Sequence, residues 1–209
     1  MRRLGLLDSA FLLAESRETP MHVGSVNLFT LPAHVNEKTY LHELTALLKT
    51  GDALQPIFAD KLKSGPLGML GPLYWQQDGA LDLDYHIRHS ALPAPGRYRE
   101  LFTLVSRLHA TLLDRNRPLW EMHLIEGLKD RQIAVYSKYH HAAIDGVRSI
   151  HLTQGMFSSS ARSRAHESPL SLAAMERYRE SLAQAAIPPN SSTSTIMVTF
   201  ASVLTKTST

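Results

Sequence analysis

Residues 132–146 have the sequence QIAVYSKYHHAAIDG, and this stretch organises the rest of the chain. Its first part, 132–140, has the apolar, β-branched and aromatic content of a strand. Two adjacent histidines stand at the strand end, and Asp145 and Gly146 follow at a predicted turn. Loops that leave a strand end are common positions for reactive side chains on a rigid scaffold. The stretch therefore predicts both a strand and a candidate site.

Hydrophobic periodicity predicts a mixture of helices and strands around this segment. Helices are predicted at 8–15, 36–48 (with Asn36 as N-cap), 97–113, 147–157 and 172–184. Strands are predicted at 22–31, 73–75, 81–87, 117–125 and 195–204, whereas 56–72 is predicted to be mostly loop because glycine and proline interrupt it. The short turn between 117–125 and 132–140 predicts an antiparallel hairpin. Because helices and strands do not alternate strictly, the fold class expected is α/β (α+β), a mixed β-sheet with helices packed on it.

Composition limits the classes of protein to consider. The 209 residues are 44% hydrophobic, which is enough for one sizeable core. A net charge of +3 without a basic stripe gives no indication of nucleic-acid binding. The absence of cysteine excludes disulfides, zinc–thiolate sites and a cysteine nucleophile. No apolar run is long enough to cross a bilayer, so we expect a soluble or peripherally attached cytoplasmic protein.

The histidines allow two interpretations. A metal site is one, but His86 and His89 lie on a predicted strand and should point to opposite faces. His140 and His141 should likewise diverge if the strand continues through them, so only one can face a given cleft. An imidazole titrates near neutral pH and can accept a proton from a substrate. The alternative without chemistry is a polar strand end at which Asp145 caps the following helix.

A family resemblance favours chemistry. Residues 140–146, HHAAIDG, resemble the HHxxxDG motif of the bacterial wax ester synthase/acyl-CoA:diacylglycerol acyltransferases, which belong to the chloramphenicol acetyltransferase-like superfamily. Further segments are similar to that family in the same order from about residue 1 to 157: LLDSAFL at 6–12, TPMHVG at 19–24, LDYHIRH at 83–89, LPAPG at 92–96, RPLWE at 117–121 and LIEGL at 124–128. The resemblance implies a two-layer sandwich of the chloramphenicol acetyltransferase type.

The resemblance also implies roles for individual residues. His141 would be the general base that takes a proton from a fatty alcohol or diacylglycerol, whose oxygen then attacks a long-chain acyl-CoA directly. Such a reaction needs no acyl-enzyme and no permanently bound cofactor, with acyl-CoA as co-substrate. His140, Asp145 and Gly146 would support the geometry of the site. Residues of the PLW motif would shape the core and an acyl channel, or would simply be buried strand residues: Pro118, Leu119 and Trp120.

Members of that family have two similar halves, with the active site in a tunnel between them. Residues 1–157 resemble the N-terminal half, and 158–209 are predicted to be a linker, a helix and a candidate crossover strand. Segments 172–178 and 194–202 resemble pieces of the second half, which suggests an internal deletion. A second acyltransferase half, or another copy of the chain, is therefore an expected partner, with contact to a membrane or lipid droplet. Two alternatives stay open: a truncated, non-catalytic domain that binds lipid or a partner, and a metal-dependent hydrolase.

Overall fold

The strand at 132–140 lies inside a four-stranded mixed sheet. The computed structural model describes residues 1–51, 53–66, 68–144, 146–158 and 167–185. In chain order the elements are β1 (Arg2–Arg3), α1 (Leu6–Ala14), β2 (His22–Thr30), α2 (Glu37–Leu48), α3 (Pro56–Ala59), β3 (Asp60–Gly65), β4 (Gly68–Gln77), α4 (Leu83–His86), β5 (Ile87–Ala91), α5 (Tyr98–Ala110), β6 (Trp120–Glu126), β7 (Gln132–His140), α6 (Gly146–Met156) and α7 (Leu172–Ala185).

Strand β7 pairs along both of its edges. The strand order is β2-β7-β6-β5, with β7 antiparallel to β2 and to β6, and β5 parallel to β6. The predicted hairpin of β6 and β7 and the predicted mixed sheet are therefore confirmed. Every residue of β7 after Gln132 is buried, because the strand is central and helices cover both of its faces.

Helices on the two faces of the sheet enclose separate apolar clusters. Helix α2 places Tyr40, Leu41 and Leu44 against Val135 and Tyr139 on one face. On the other face, Leu101 of the amphipathic helix α5 packs with Ala134 and Tyr136. Helix α2 begins where predicted, because the side chain of Asn36 accepts a hydrogen bond from the backbone N–H of Thr39 at 3.1 Å. The predicted helices at α1, α2, α5, α6 and α7 are all present.

The prediction of a loop over 56–72 was wrong. This region forms α3 and most of an antiparallel hairpin, β3 and β4, which β1 extends into a three-stranded sheet. Glycines at the end of β3 and the start of β4 flank the turn, and Gly68 has a φ of +59° that favours glycine. The predicted short strand at 73–75 is the middle of β4, where Leu73 and Trp75 pack with Leu4.

The prediction of a strand over 81–87 was also wrong, because α4 occupies most of it. Asp82 caps this helical turn by accepting a hydrogen bond from the backbone N–H of Tyr85 at 3.1 Å, and the strand begins only at Ile87. An apolar residue at every second position fits a strand, but the cap decides the local structure. The predicted strand at 195–204 and most of the predicted linker lie outside the described residues. Among the helices within the described ranges, none is long and apolar enough to cross a membrane.

Gly96, between β5 and α5, packs against the backbone of Gly127, and a substitution at this position tests that contact. Its φ is +68°, and a Cβ there would lie 1.9 Å from the carbonyl oxygen of Gly127. We expect Gly96→Ala to lower the free energy of unfolding by at least about 2 kcal/mol, because the left-handed backbone and the clash both oppose a side chain. Chemical denaturation measures this change. Gly79→Ala is the matched control, since a Cβ there meets nothing within 4 Å, and equal losses in the two variants would contradict the packing.

Candidate active site

Two neighbouring strands hold the backbone of the histidine pair. The backbone N–H of His140 donates to the carbonyl of Leu119 at 3.0 Å, and that of His141 donates to the carbonyl of Met21 at 2.9 Å. The chain then turns, with the N–H of Ala143 donating to the carbonyl of His140 at 2.9 Å. Helix α6 begins at Gly146, whereas Asp145 lies outside the described residues.

His140 points into the protein and is fully buried. Its Nδ1 accepts a hydrogen bond from the backbone N–H of Ala142 at 3.0 Å, so its proton resides on Nε2. This Nε2 lies 3.2 Å from Oε1 of Glu15. Burial lowers the pKa of His140 to about 4, although the Glu15 carboxylate acts in the opposite direction. His140 is therefore neutral at neutral pH and is enclosed on both sides of its ring.

His141 occupies the turn after β7, and its side chain is half-buried. Its ring stacks on Phe11 of α1, with the ring centroids 5.1 Å apart and the planes inclined by 22°. Three leucines of the same helix, Leu6, Leu7 and Leu13, are 90%, 70% and 59% exposed. The structure thus brings the two adjacent histidines into different environments, one fully buried and one half-buried against an aromatic ring of α1.

The PLW residues lie beside the end of β7. Leu119 is fully buried and packs in the same cluster as Leu12 and Ala142. Trp120 is fully buried too, donates from Nε1 to the carbonyl of Phe58 at 3.0 Å and stacks on His86 with centroids 4.5 Å apart. Pro118 is buried, and its carbonyl accepts a hydrogen bond from the backbone N–H of Trp120 at 2.9 Å.

A cleft of about 590 Å³ opens beside the histidine loop. Its wall includes Ala143 and Ile144, which follow His141 in the chain, together with Trp75 of β4 and Met175 of α7. Its remaining lining combines apolar side chains with two arginines: Arg2, Gln55, Pro56, Ile57, Asp60, His151, Leu152, Tyr178, Arg179 and Leu182. None of the three PLW residues lines this cleft.

Comparison with known proteins decides the family. The family model described as the wax ester synthase/diacylglycerol acyltransferase catalytic domain matches residues 4–208, almost the whole chain. The chain belongs to this family. A putative diacylglycerol O-acyltransferase of Mycobacterium bovis is 48% identical over 73% of this chain and 33% of its own length. The O-acyltransferase WSD of Acinetobacter baylyi is 40% identical over 76% of this chain and 33% of its own.

Solved structures agree with this assignment. The wax ester synthase/diacylglycerol acyltransferase of Marinobacter aquaeolei VT8 superposes with a TM-score of 0.74 at 37% identity, over 87% of this chain and 45% of that chain. The first condensation domain of the calcium-dependent antibiotic synthetase gives 0.52 at 18% identity, over 72% of this chain and 36% of that one, which indicates the shared fold alone. The chloramphenicol acetyltransferase-like fold predicted from the sequence is thereby confirmed. The chain spans about a third of the length of the curated relatives it matches.

An ion pair between the buried Glu15 side chain and the partly exposed Arg115, close to His140, was not predicted from the sequence. Glu15 Oε2 accepts from Arg115 Nη2 at 3.0 Å and from Nε at 3.4 Å. The Glu15 side chain is 1% exposed, and its other oxygen faces His140. The two residues are separated by 100 positions, so no local spacing could connect them.

A second polar cluster lies between β7 and the last turn of α5. The fully buried Lys138 donates from Nζ to the carbonyls of Leu108 and Thr111 at 2.8 and 2.7 Å, and lies 3.5 Å from Glu121. Burial lowers the pKa of Lys138, while Glu121 opposes that change. Burial opposes ionisation of Glu121 as well, but the hydrogen bond from His123 and the nearby cations lower its pKa overall.

The described residues contain no group of three or more metal-ligating side chains that could hold an ion. His86, one of the pair considered above, donates from Nδ1 to the carbonyl of Trp120 at 2.8 Å. His89 lies instead on β5, 3.6 Å from Glu126. The two histidines therefore have separate partners: His86 contacts the first residue of β6, and His89 contacts the last residue of that strand.

The environment of His140 predicts acid-sensitive stability. Its pKa is about 4 in the native state and about 6.5 in an unfolded chain. Between these values the unfolded chain binds a proton that the native state does not, so the free energy of unfolding falls as pH falls from about 6.5 to about 4. The full contribution is on the order of 3 kcal/mol. Urea unfolding across this pH range measures it.

The buried His22 and His86, and His109 at the end of α5, also have pKa values lowered by desolvation and contribute in the same direction. The diagnostic quantity is therefore the difference between variants. We expect His140→Asn to reduce the pH dependence of the free energy of unfolding by about the contribution of one histidine. His42→Asn, at an exposed position, should leave this dependence unchanged. Parallel pH profiles for the two variants would contradict the buried, neutral state of His140.

Proposed function

We propose that this chain contributes to transfer of a long-chain acyl group from acyl-CoA to the hydroxyl of a fatty alcohol or diacylglycerol, with His141 as the general base. The observation that supports the proposal most directly is the unequal environment of the two histidines. His140 is fully buried and neutral, with Nδ1 bonded to the N–H of Ala142 and Nε2 lying 3.2 Å from Glu15 without an aligned hydrogen bond, whereas the half-buried His141 stacks on Phe11. Relatives named as O-acyltransferases support the same reaction class.

The proposed reaction needs one base and no covalent intermediate. The His141 imidazole takes the hydroxyl proton while the acceptor oxygen attacks the thioester carbonyl carbon. The carbon–sulfur bond then breaks, the CoA sulfur takes up the proton, and an ester and free CoA leave. Imidazole suits this role because it exchanges protons near neutral pH, and a positioned base typically contributes about 10²–10⁴-fold in rate.

Two further motif residues have supporting roles in this proposal. Gly146 is the first residue of α6 and lets the chain change direction directly after the histidine loop. Asp145 keeps the loop in shape rather than exchanging protons. No permanently bound cofactor takes part, and acyl-CoA acts as co-substrate.

We propose that the cleft beside Ala143 and Ile144 receives the acyl chain. Its apolar wall can remove methylene groups from water, which is worth roughly 0.8 kcal/mol for each CH₂ buried. The surroundings of Pro118, Leu119 and Trp120 are the other candidate channel. The cleft is favoured because it offers open volume, whereas the PLW side chains are closely packed.

The exposed apolar face of α1 needs a cover if His141 is to work away from water. Large exposed apolar patches are typical of interaction surfaces. We propose that a second acyltransferase half, or a second copy of this chain, covers Leu6, Leu7 and Leu13, and that the assembly works in the cytoplasm at the surface of membranes or lipid inclusions. Nucleic acid is not among the proposed partners.

An ester-synthesis assay with palmitoyl-CoA and hexadecanol or diolein tests the reaction. We expect His141→Ala to lower turnover by about 10²–10⁴-fold, because the base is removed. The assay is run with the chain alone and with a candidate second half, and His42→Ala serves as the surface control. Equal turnover by the wild type and His141→Ala would rule out the proposed base. Binding of acyl-CoA without any turnover would instead favour a non-catalytic lipid-binding domain.

Tryptophan fluorescence tests where the acyl chain lies. The protein has two tryptophans, of which Trp75 lines the cleft and Trp120 does not. An acyl-CoA with bromine on its acyl chain quenches a tryptophan that it contacts. We expect quenching in the wild type and in Trp120→Phe, and none in Trp75→Phe. Quenching that survives in Trp75→Phe but disappears in Trp120→Phe would place the chain near the PLW residues instead.

A further inference from the structure

Glu15 joins the end of α1 to the rest of the fold through its Oε2 atom. Arg115 donates to this oxygen from both Nη2 and Nε, and the same Nη2 donates to the carbonyl of Leu12 at 2.6 Å. The guanidinium thus fixes the carboxylate against the last turn of α1. Charge-assisted, forked contacts of this kind are geometrically specific as well as strong.

The other oxygen of Glu15 faces both strands that carry the histidine loop. Oε1 accepts from the backbone N–H of Met21 at 3.3 Å and lies 3.2 Å from Nε2 of His140. The carbonyl of Met21 in turn accepts the backbone N–H of His141 at 2.9 Å. One carboxylate oxygen therefore lies in contact with His140, without an aligned hydrogen bond to it, and is one peptide unit away from His141.

We propose that Glu15, held by Arg115, is a positioning residue for His141 in acyl transfer. This inference rests on the proposed function for its kinetic consequence, but not for its structural one. Glu15 acts along two routes. Its negative charge, 3.2 Å from Nε2 of His140, favours the proton on that nitrogen, which leaves Nδ1 to accept the N–H of Ala142 and shapes the turn. It also holds the Met21 peptide, which supports the backbone of His141.

A carboxylate is required because both of its oxygens must accept hydrogen bonds. Glutamine has nearly the same shape but only one acceptor oxygen. If that oxygen faces Arg115, the amide NH₂ meets the N–H of Met21 and the Nε2–H of His140. His140 then has to move its proton to Nδ1, and Ala142 loses its acceptor. If the oxygen faces His140 instead, the partly exposed Arg115 meets an NH₂ group. Glu15→Gln therefore separates the role of the second oxygen from that of side-chain volume.

Nuclear magnetic resonance on protein with ¹⁵N-labelled histidine tests the first route without any need for turnover. In the wild type we expect His140 in the Nε2–H tautomer and slow hydrogen exchange at the Ala142 amide. In Glu15→Gln we expect a change of tautomer, or faster exchange at Ala142 by about tenfold or more. Glu18→Gln is the matched control, because Glu18 is an exposed carboxylate in the same segment. Identical spectra for the loop in both variants would overturn the proposal.

Kinetics test the second route. We expect Glu15→Gln to lower kcat by ~10²-fold with little change in KM, because a small displacement of the base affects the chemical step rather than substrate binding. Glu15→Asp keeps the charge and both oxygens but withdraws them by one methylene, so it should fold and show a smaller loss of kcat. If Glu15→Gln fails to fold, Glu15→Asp provides the test of the positioning role instead. An increase in KM alone, or a kcat for both variants equal to that of Glu18→Gln, would overturn the positioning role.

If the wild type makes no ester under any condition, the proposed function fails while the tautomer experiment still decides the role of Glu15. If the wild type is active and the tautomer does not change, the positioning role fails and the proposed function stands. The two ideas are thus tested separately.

Discussion

The pairing of β7 along both edges is the constraint on which the other features depend. A strand between two partners has its backbone hydrogen bonds satisfied, and helices on both faces then remove its side chains from water. Such a strand is rigid, which is useful for presenting a residue at its end. The same enclosure means that every polar side chain on β7 needs a partner within the protein, because an unpaired buried polar group is costly.

Several polar groups of β7 meet this requirement through distant elements, whereas Tyr139 Oη and His140 Nε2 are buried without a hydrogen-bond partner among the described residues. Lys138 binds carbonyls at the last turn of α5, where the helix dipole also favours a cation. His22, opposite His140 on β2, uses Nε2 to donate to the carbonyl of His109 at 2.6 Å. Tyr136 bonds Nδ1 of His109 at 2.9 Å. Helix α5 is therefore attached to the sheet by both apolar packing and hydrogen bonds. These contacts fix the end of β7 and, with it, the position of the histidine loop.

Local patterns in the sequence were sufficient for much of this fold. Alternation, periodicity and a capping asparagine predicted β2, α2, α5 and the β6–β7 hairpin, because each signal depends on neighbouring residues. The β3–β4 hairpin was missed because its turn residues, glycine and proline, resemble those of an extended loop. Helix α4 was missed because an Asp82 cap outweighs an alternating pattern. Glu15 and Arg115 could not be found at all, since their contact exists only after segments 100 positions apart have come together.

The pairing of β2 with β7 has a consequence for how the protein folds. His22 stands opposite His140, so the sheet joins a segment near the start of the chain to one made much later. During synthesis the edge of β2 that pairs with β7 stays unpaired until β7 has left the ribosome. Pairings across long sequence separations form slowly, and exposed edges promote aggregation in the meantime. This contact order makes the nascent chain a candidate client for chaperones, and truncation before residue 132 would leave β2 without its partner.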